Sequence, residues 1–206
     1  MMHLVCTDLE GIYIPEIWIN VARKTGIEAL KLTTRDISDY NVLMKKRLGI
    51  LDRNHLKLTD IQDVISRMDP LEGALEFLNW LRSLVPVIIV SDTFTQFAGP
   101  LMKKLGMPAL LCNELSVSQE GMITGYCLRQ NDGKRHVVEA FKALNYRVTA
   151  VGDSYNDVTM LKAADNGILY NPPENVESEF PEFPVTRSYE DMKAAVLDIL
   201  GNDAQP

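Results

Sequence analysis

The sequence has few cysteines, no long apolar run and no excess of positive charge. Its three cysteines are an odd number and lie far apart, so we expect free thiols in a cytoplasmic protein rather than disulfides or a cysteine metal cluster. No stretch approaches the roughly 18 apolar residues of a membrane-spanning helix, and Asp8 comes too early for a signal peptide. Lys and Arg number 21 against 28 Asp and Glu, a formal charge of −7 that would repel a nucleic-acid backbone. We therefore expect neither a membrane nor a nucleic acid as partner.

The sequence does contain short apolar runs that each end near a polar residue. They lie at residues 3–8, 85–90, 148–151 and 167–170, and helical patterns separate them at 94–105, 134–144 and 156–164. Strands that alternate with helices predict an α/β fold with a doubly wound parallel sheet. Asp8, Ser91 and Asp153 follow three of these strands, so they should converge on one crevice at the carboxyl edge of the sheet.

Residues 15–70 do not follow this alternation. Helical patterns occur at 16–24, in a stretch ending near Ile37, at 40–51 and at 59–68, where Thr59 is the predicted N-cap. We predict a small helical cap domain of residues 15–70 inserted after the first strand, over a core domain of residues 1–14 and 71–206. A β-hairpin is predicted within 112–130, and the tail after Gly201 is expected to fray.

Two groups of acids follow predicted strands. Asp8 and Glu10 are separated by one residue, and Gly152-Asp153 begins a segment that ends in Asp157. Each group has a simpler interpretation, as solvated loop acids or as helix N-caps. Brought together in one crevice, however, several carboxylates repel one another unless a cation lies among them, and hard oxygen ligands favour Mg²⁺.

A phosphate bound beside such a cation also needs hydroxyl and cationic partners. Ser91 offers a hydroxyl at the end of the second strand, and Lys134 offers an ammonium at the start of a helix. Taken alone, Ser91 is an ordinary strand-end serine and Lys134 an ordinary surface lysine.

The ordered set D-x-E, then S, then K, then G-D-x-x-N-D resembles the four motifs of the haloacid dehalogenase-like phosphohydrolases, over essentially the whole chain. The segment 44–51 and Pro70-Leu71-Glu72-Gly73 resemble the phosphoserine phosphatases among them. The motifs V-x-x-D-L-E-G, P-E-I-W and V-S-D-T-F are similar to the bacterial phosphoserine:homoserine phosphotransferase branch, whose members also hydrolyse phosphoserine.

This resemblance implies a Rossmann-like core and a reaction through an aspartyl-phosphate. Asp8 would be the nucleophile, and Glu10 would protonate the leaving serine oxygen and then take a proton from the acceptor, which is water or homoserine. Mg²⁺ would be bound by Asp8, Asp153 and the backbone carbonyl of Glu10. The family also implies a homodimer.

The remaining family motifs imply the phosphoryl contacts. Ser91 and Lys134 would bind the phosphoryl oxygens. Asp157 would orient Lys134 or a metal-bound water, and Asn156 would lie near the substrate.

The cap would recognise the amino-acid part of the substrate. Glu16 would pair with the ammonium, and the planar guanidinium of Arg47 would bind the carboxylate. Both residues also have a simpler interpretation, Glu16 as a favourable acid in the first turn of a helix and Arg47 as part of a solvated basic run.

The sequence departs from the family pattern at two places. Most phosphatases of the superfamily have aspartate where Glu10 stands, and we hypothesise that the longer side chain accompanies transfer to an alcohol. Phosphoserine phosphatases usually have two glycines where this chain has Asp92-Thr93, so the pocket wall is altered. Thr93 could offer a hydroxyl, and Asp92 must point away from the phosphate or meet an ammonium.

Two other functions are compatible with parts of the pattern. One is the same chemistry on another small phosphomonoester. The other is a non-catalytic phospho-acceptor or binding domain, against which Glu10 and the helical cap both count. Trp18 and Trp80 lie on apolar helical faces and are predicted to be core residues.

Overall fold

Seven strands form one sheet in the part of the chain that the computed structural model describes, which is residues 2–33, 36–37 and 39–202. The order is β4-β3-β2-β1-β5-β6-β7, and every neighbouring pair is parallel except β3 and β4. The strands are β1 (Met2–Thr7), β2 (Val87–Phe94), β3 (Ala109–Val117), β4 (Ile123–Cys127), β5 (Tyr146–Gly152), β6 (Asn166–Tyr170) and β7 (Val185–Thr186).

Helices cover both faces of this sheet. They are α1 (Ile17–Thr25), α2 (Tyr40–Arg53), α3 (Leu58–Ser66), α4 (Ala74–Leu84), α5 (Thr95–Lys104), α6 (Gly133–Ala143), α7 (Val158–Ala163), α8 (Glu174–Glu179) and α9 (Tyr189–Asn202). Alternate residues of β1 belong to different hydrophobic clusters: Val5 packs with residues of α4, α5 and α9, whereas Leu4 and Cys6 pack with residues of α6, α7 and α8. A strand buried on both faces needs a continuous apolar sequence, which β1 has. The predicted doubly wound α/β fold is confirmed.

Helices α1 to α3 lie between β1 and β2, where the sequence predicted helices. In place of a helical stretch ending near Ile37 there is one 3₁₀ turn, Glu28–Lys31; residues 34, 35 and 38 lie outside the described residues. Thr59 is not the N-cap of α3, because the helix begins earlier, with Lys57 in that position. The carboxylate of Asp60 accepts the backbone N–H of Lys57 at 2.7 Å and thereby stabilises the earlier start.

Helices α1 to α3, which we call the helical insert, pack directly on the sheet and its flanking helices. Ile61 and Ile65 of α3 belong to the same hydrophobic cluster as Phe97 and Leu101 of α5. The backbone N–H of Leu58 donates to the carbonyl of Gly121 at the β3–β4 turn, at 2.9 Å. The boundaries of a cap at residues 15–70 remain a prediction, since one apolar cluster runs through the insert and the core.

Strand β2 is longer than its apolar run. It continues through Ser91, Asp92 and Thr93 to Phe94, and its register with β3 shifts between Val90 and Phe94. A bulged strand bends locally and can turn a side chain toward a site at the sheet edge.

The predicted hairpin is confirmed as β3 and β4, whereas α8, β7 and α9 were not predicted. The predicted fraying after Gly201 concerns a tail of which residues 203–206 lie outside the described residues.

The helices that the structure describes are each too short or too polar to span a lipid bilayer.

Candidate active site

Three buried carboxylates meet at the carboxyl edge of the sheet. Asp8 follows β1 and Asp153 follows β5, two parallel strands that lie side by side at the point where the chain changes its direction of winding. Asp157 follows one turn later, and one oxygen from each carboxylate lies within 4.8 Å of the others. The sequence prediction that Asp8 and Asp153 converge is therefore confirmed in position.

Lys134 lies among these carboxylates. It is in the first turn of α6, and its Nζ donates to Asp157 Oδ1 at 2.7 Å and contacts Asp8 Oδ1 at 2.9 Å. Only 4% of its side chain is exposed. Burial by itself lowers the pKa of Lys134, but Asp157 and Asp8 raise it more, so the pKa lies well above its usual value and the ammonium stays charged.

Asp157 supports both the lysine and the loop after β5. Its Oδ2 accepts the backbone N–H groups of Asp153 at 2.9 Å and Ser154 at 3.2 Å. Ser154 is in the N-cap position of the turn Tyr155–Asp157 and forms a capping box with Asp157, so the capping interpretation holds for Ser154. Capping alone does not explain the contact of Asp157 with Lys134. Asp157 is fully buried, and its oxygens bind Lys134 and the loop. Of these three carboxylates, only Asp8 and Asp153 therefore line the crevice.

The acidic cluster fits a hard divalent cation. Burial, and then the charge of Asp157, raise the pKa of Asp153 to about 7. Burial likewise raises the pKa of Asp8 well above its usual value, although Lys134 opposes this. The raised pKa values mean that it is costly to ionise these carboxylates together. A bound cation would stabilise their ionised forms. Asp8 and Asp153 could bind such an ion, and the backbone carbonyl of Glu10 stays a predicted third ligand.

Glu10 and Glu16 lie near each other where the chain leaves the core for α1. Glu10 Oε2 accepts the backbone N–H of Ile17 at 2.8 Å. Burial, and then the carboxylate of Glu16, raise the pKa of Glu10 to about 8. Glu16 is the residue before α1, in the N-cap position, and not within its first turn as the sequence suggested.

Arg47 is buried rather than part of a solvated basic face. Its guanidinium carbon lies 4.5 Å from the centroid of the Trp18 ring, and Nη2 donates to the carbonyl of Leu32 at 2.8 Å. Burial lowers its pKa to about 10, a value at which it is still charged at neutral pH. Its Nε atom is buried and has no hydrogen-bond partner among the described residues, and the side chain lines the cavity described below.

The bulged part of β2 forms another wall. Ser91 Oγ accepts the backbone N–H of Thr93 at 3.2 Å. Asp92 does meet an ammonium, since its Oδ2 lies 4.0 Å from Lys134 Nζ, and the same oxygen accepts Asn156 Nδ2 at 2.9 Å. Asn156 is in a short 3₁₀ turn, Tyr155–Asp157, and not yet in the helix that was predicted from this position.

A single cavity joins these groups. Every predicted site residue lines it except Asp157, which lies buried beneath Lys134. The cavity also has five lining residues that the sequence analysis did not assign to the site, Trp18, Thr33, Tyr40, Leu43 and Ser154. Ser154 could have been found from its place inside the G-D-x-x-N-D motif, whereas Tyr40 and Leu43 carry no local signal. Trp18 is buried, as predicted, but Trp80 is only half-buried.

Comparisons with known proteins agree with this geometry. A family profile described as haloacid dehalogenase-like hydrolase matches residues 13–165. Phosphoserine phosphatase ThrH of Pseudomonas aeruginosa is 58% identical over 196 residues, which are 95% of this chain and 96% of that protein. A phosphoserine phosphatase of Pseudomonas syringae pv. tomato is 56% identical over 192 residues, which are 93% of this chain and 81% of that protein.

Solved structures show the same fold. A substrate-bound phosphoserine phosphatase complex has a TM-score of 0.79 at 21% identity, over 95% of this chain and 98% of that one. A phospho-aspartyl intermediate analogue of a phosphoserine phosphatase has a TM-score of 0.78 at 22% identity, over 94% and 98%. The chain belongs to the haloacid dehalogenase-like hydrolases, in the ThrH-type branch of the phosphoserine phosphatases.

Proposed function

We propose that the protein is a Mg²⁺-dependent phosphoserine phosphatase that also transfers the phosphoryl group to homoserine. The observation that carries the proposal is the shared cavity, whose lining includes the buried Asp8–Lys134 pair together with a buried arginine and two glutamates. One end of the cavity suits a phosphoryl group and the other an amino acid. The name of the relative that is 58% identical supports the same substrate.

Asp8 is the proposed nucleophile. Its Oδ1 is fixed by the backbone N–H of Leu9 at 2.7 Å and by Lys134 at 2.9 Å. The carboxylate would form a bond to phosphorus while the bond from phosphorus to the serine oxygen breaks. The resulting aspartyl-phosphate would then lose its phosphoryl group to water, or to the hydroxyl of homoserine, and Asp8 would be regenerated.

Glu10 is the proposed proton donor and acceptor. It lines the cavity two residues after the nucleophile, and the hydrogen bond from Ile17 fixes one of its oxygens. It would give a proton to the leaving serine oxygen and take one from the water or alcohol that attacks next. The leaving serine oxygen and the attacking oxygen are both on the face of phosphorus opposite Asp8. One acid near that face can therefore carry out both proton transfers.

The phosphoryl oxygens would be bound by Lys134 and by the Ser91 hydroxyl. Bound between Asp8, Asp153 and the Glu10 carbonyl, Mg²⁺ would neutralise negative charge shared by the nucleophile and the phosphoryl group. Asp157 would keep Lys134 in place through their 2.7 Å contact. Asn156, Asp92 and Thr93 would complete the wall around the substrate.

The amino-acid part would be recognised by the helical insert. Arg47 would bind the substrate carboxylate, with its guanidinium plane set by Trp18 and by the Leu32 carbonyl. Glu16 would pair with the ammonium. A phosphomonoester that lacks a carboxylate and an ammonium would make neither of these two contacts.

The compartment and assembly are also proposals. A reducing cytoplasm is supported by Cys6, Cys112 and Cys127, which are free thiols in the structure. The homodimer is supported by family resemblance alone.

The test is a product analysis with O-phospho-L-serine and Mg²⁺, with and without L-homoserine. We expect inorganic phosphate in both mixtures and phosphohomoserine in the second. Asp8→Asn should form neither product, whereas Asp69→Asn, the same change in an exposed ion pair with Lys104, should form both.

The products separate the candidate functions. Phosphate without phosphohomoserine would leave a phosphatase only. Neither product, followed by activity on another ester in a broad phosphomonoester screen, would keep the chemistry and replace the substrate. Inactivity on every ester would favour a non-catalytic phospho-acceptor domain.

A further inference from the structure

We propose that the carboxylate of Asp92 weakens binding of inorganic phosphate at Lys134 and thereby favours release of this product. The inference rests on the proposed function in one respect, namely that the phosphoryl group binds at Lys134. It concerns Asp92, to which the proposed function gives only a place in the wall of the cavity.

The first observation is the arrangement of acids around one ammonium. Lys134 Nζ contacts Asp157 and Asp8 at 2.7 and 2.9 Å, and Asp92 Oδ2 is the third carboxylate, at 4.0 Å. Asp157 is fully buried and Asp8 nearly so, but 38% of the Asp92 side chain is exposed. Asp92 also lines the cavity, whereas Asp157 does not. An anion bound at Lys134 from the cavity therefore lies close to the carboxylate of Asp92.

The second observation is that Asp92 is held in this place from several sides. Its Oδ2 accepts Asn156 Nδ2 at 2.9 Å. Its backbone carbonyl accepts the hydroxyl of Tyr40, from α2 of the helical insert, at 3.0 Å, and Asn113 Nδ2 at 3.3 Å. The carboxylate cannot turn away from an incoming anion without losing its hydrogen bond to Asn156.

These two observations have different consequences for substrate and product. A negative charge near the phosphoryl position repels phosphoserine and inorganic phosphate alike. Phosphoserine regains binding through its own ammonium and carboxylate, which Glu16 and Arg47 are placed to bind. Inorganic phosphate has neither group, so Asp92 reduces its affinity without an offsetting contact.

The main test variant is Asp92→Asn. It removes the charge but keeps a side-chain oxygen that can accept the hydrogen bond from Asn156. For a partly exposed charge near another, we expect the inhibition constant of inorganic phosphate to fall about threefold to tenfold. The KM for phosphoserine should fall by no more than this, and kcat should not rise, because product leaves more slowly.

Two controls separate charge from structure. Asp92→Glu keeps the charge and should keep the inhibition constant within about twofold of the parent. Asp165→Asn makes the same charge change at a similarly exposed acid, which contacts Lys142 and lines neither of the cavities that Asp92 lines. It should leave both phosphate inhibition and hydrolysis unchanged. Thermal unfolding of each variant shows whether it is folded.

Direct binding of inorganic phosphate, measured by calorimetry with Mg²⁺ present, makes the test independent of turnover. If the parent does not hydrolyse phosphoserine, the proposed function fails, but tighter phosphate binding by Asp92→Asn would still support the role of Asp92. The proposal is overturned if folded Asp92→Asn binds phosphate no more tightly than the parent. It is also overturned if Asp165→Asn gives an equal gain, or if phosphate does not bind to any of these proteins.

Discussion

Replacement of Gly11 by alanine should strongly lower activity while the protein stays folded. Gly11 has φ of +78°, and a Cβ atom on it would lie 2.3 Å from Asp153 Oδ2. Ordinary van der Waals contact begins at about 3.4 Å, so the Asp153 carboxylate must move by about 1 Å. A displacement of this size in a catalytic group costs about hundredfold in rate. Because Asp153 is a proposed metal ligand, we expect a loss of at least this size in kcat/KM.

The same replacement should also lower the free energy of unfolding, and Gly26→Ala is the matched control. Gly26 ends α1 with φ of +73°, and a Cβ atom there would meet nothing within 4 Å. Gly26→Ala therefore introduces the backbone strain alone, which is about 1 kcal/mol, and should leave activity unchanged. Gly11→Ala adds the displacement of Asp153, about 1–3 kcal/mol, to the same strain, so we expect a total loss of about 2–4 kcal/mol in the free energy of unfolding.

The assay is urea unfolding in metal-free buffer, together with phosphoserine hydrolysis in Mg²⁺. Each kcal/mol should also lower the melting temperature by about 2–4 °C for a chain of this length. The reasoning is refuted if folded Gly11→Ala keeps its activity within tenfold of the parent, or if Gly26→Ala loses as much activity as Gly11→Ala.

Three further predictions concern other parts of the molecule. Arg47→Ala should lower kcat/KM for phosphoserine about tenfold to hundredfold and should affect phosphoethanolamine, which lacks the carboxylate, much less; equal losses on both esters would argue against a carboxylate at Arg47. Glu10→Asp should shift the products of phosphoserine turnover from phosphohomoserine toward free phosphate, and an unchanged ratio removes the link between this glutamate and alcohol acceptors. A thiol reagent at pH 8 should modify the exposed Cys127 well before Cys6, since burial raises the pKa of Cys6 to about 12; early modification of Cys6 by mass spectrometry would contradict its burial.

Much of the fold and of the site could be predicted because both depend on local patterns. Apolar runs that end in Asp8 and Asp153 determine where the acids emerge from a parallel sheet, so their convergence follows from topology alone. The helix α9 also had a local signal, since Ser188 precedes Asp191 by three residues and its Oγ accepts the N–H of Asp191 at 3.1 Å. That signal was missed.

Other features depend on contacts between distant segments. Ser91 lies inside β2 because the strand continues past its apolar run through a shift in register with β3, which the sequence of β2 alone does not indicate. Tyr40 reaches the cavity wall only because α2 packs near the bulge and its hydroxyl binds the carbonyl of Asp92. Arg47 lies in a basic sequence, and its burial results from Trp18 beneath it.

The stacking of Arg47 on Trp18 gives the protein a built-in optical reporter. The chain has two tryptophans; Trp18 lines the cavity under the guanidinium, whereas Trp80 is on α4, does not line the cavity, and lies against Phe77 and Lys193. In a Trp80→Phe variant, all indole emission would come from Trp18. An anion that draws Arg47 away from the ring would change that emission, so ligand binding at the amino-acid end of the cavity could be followed without a label and without turnover.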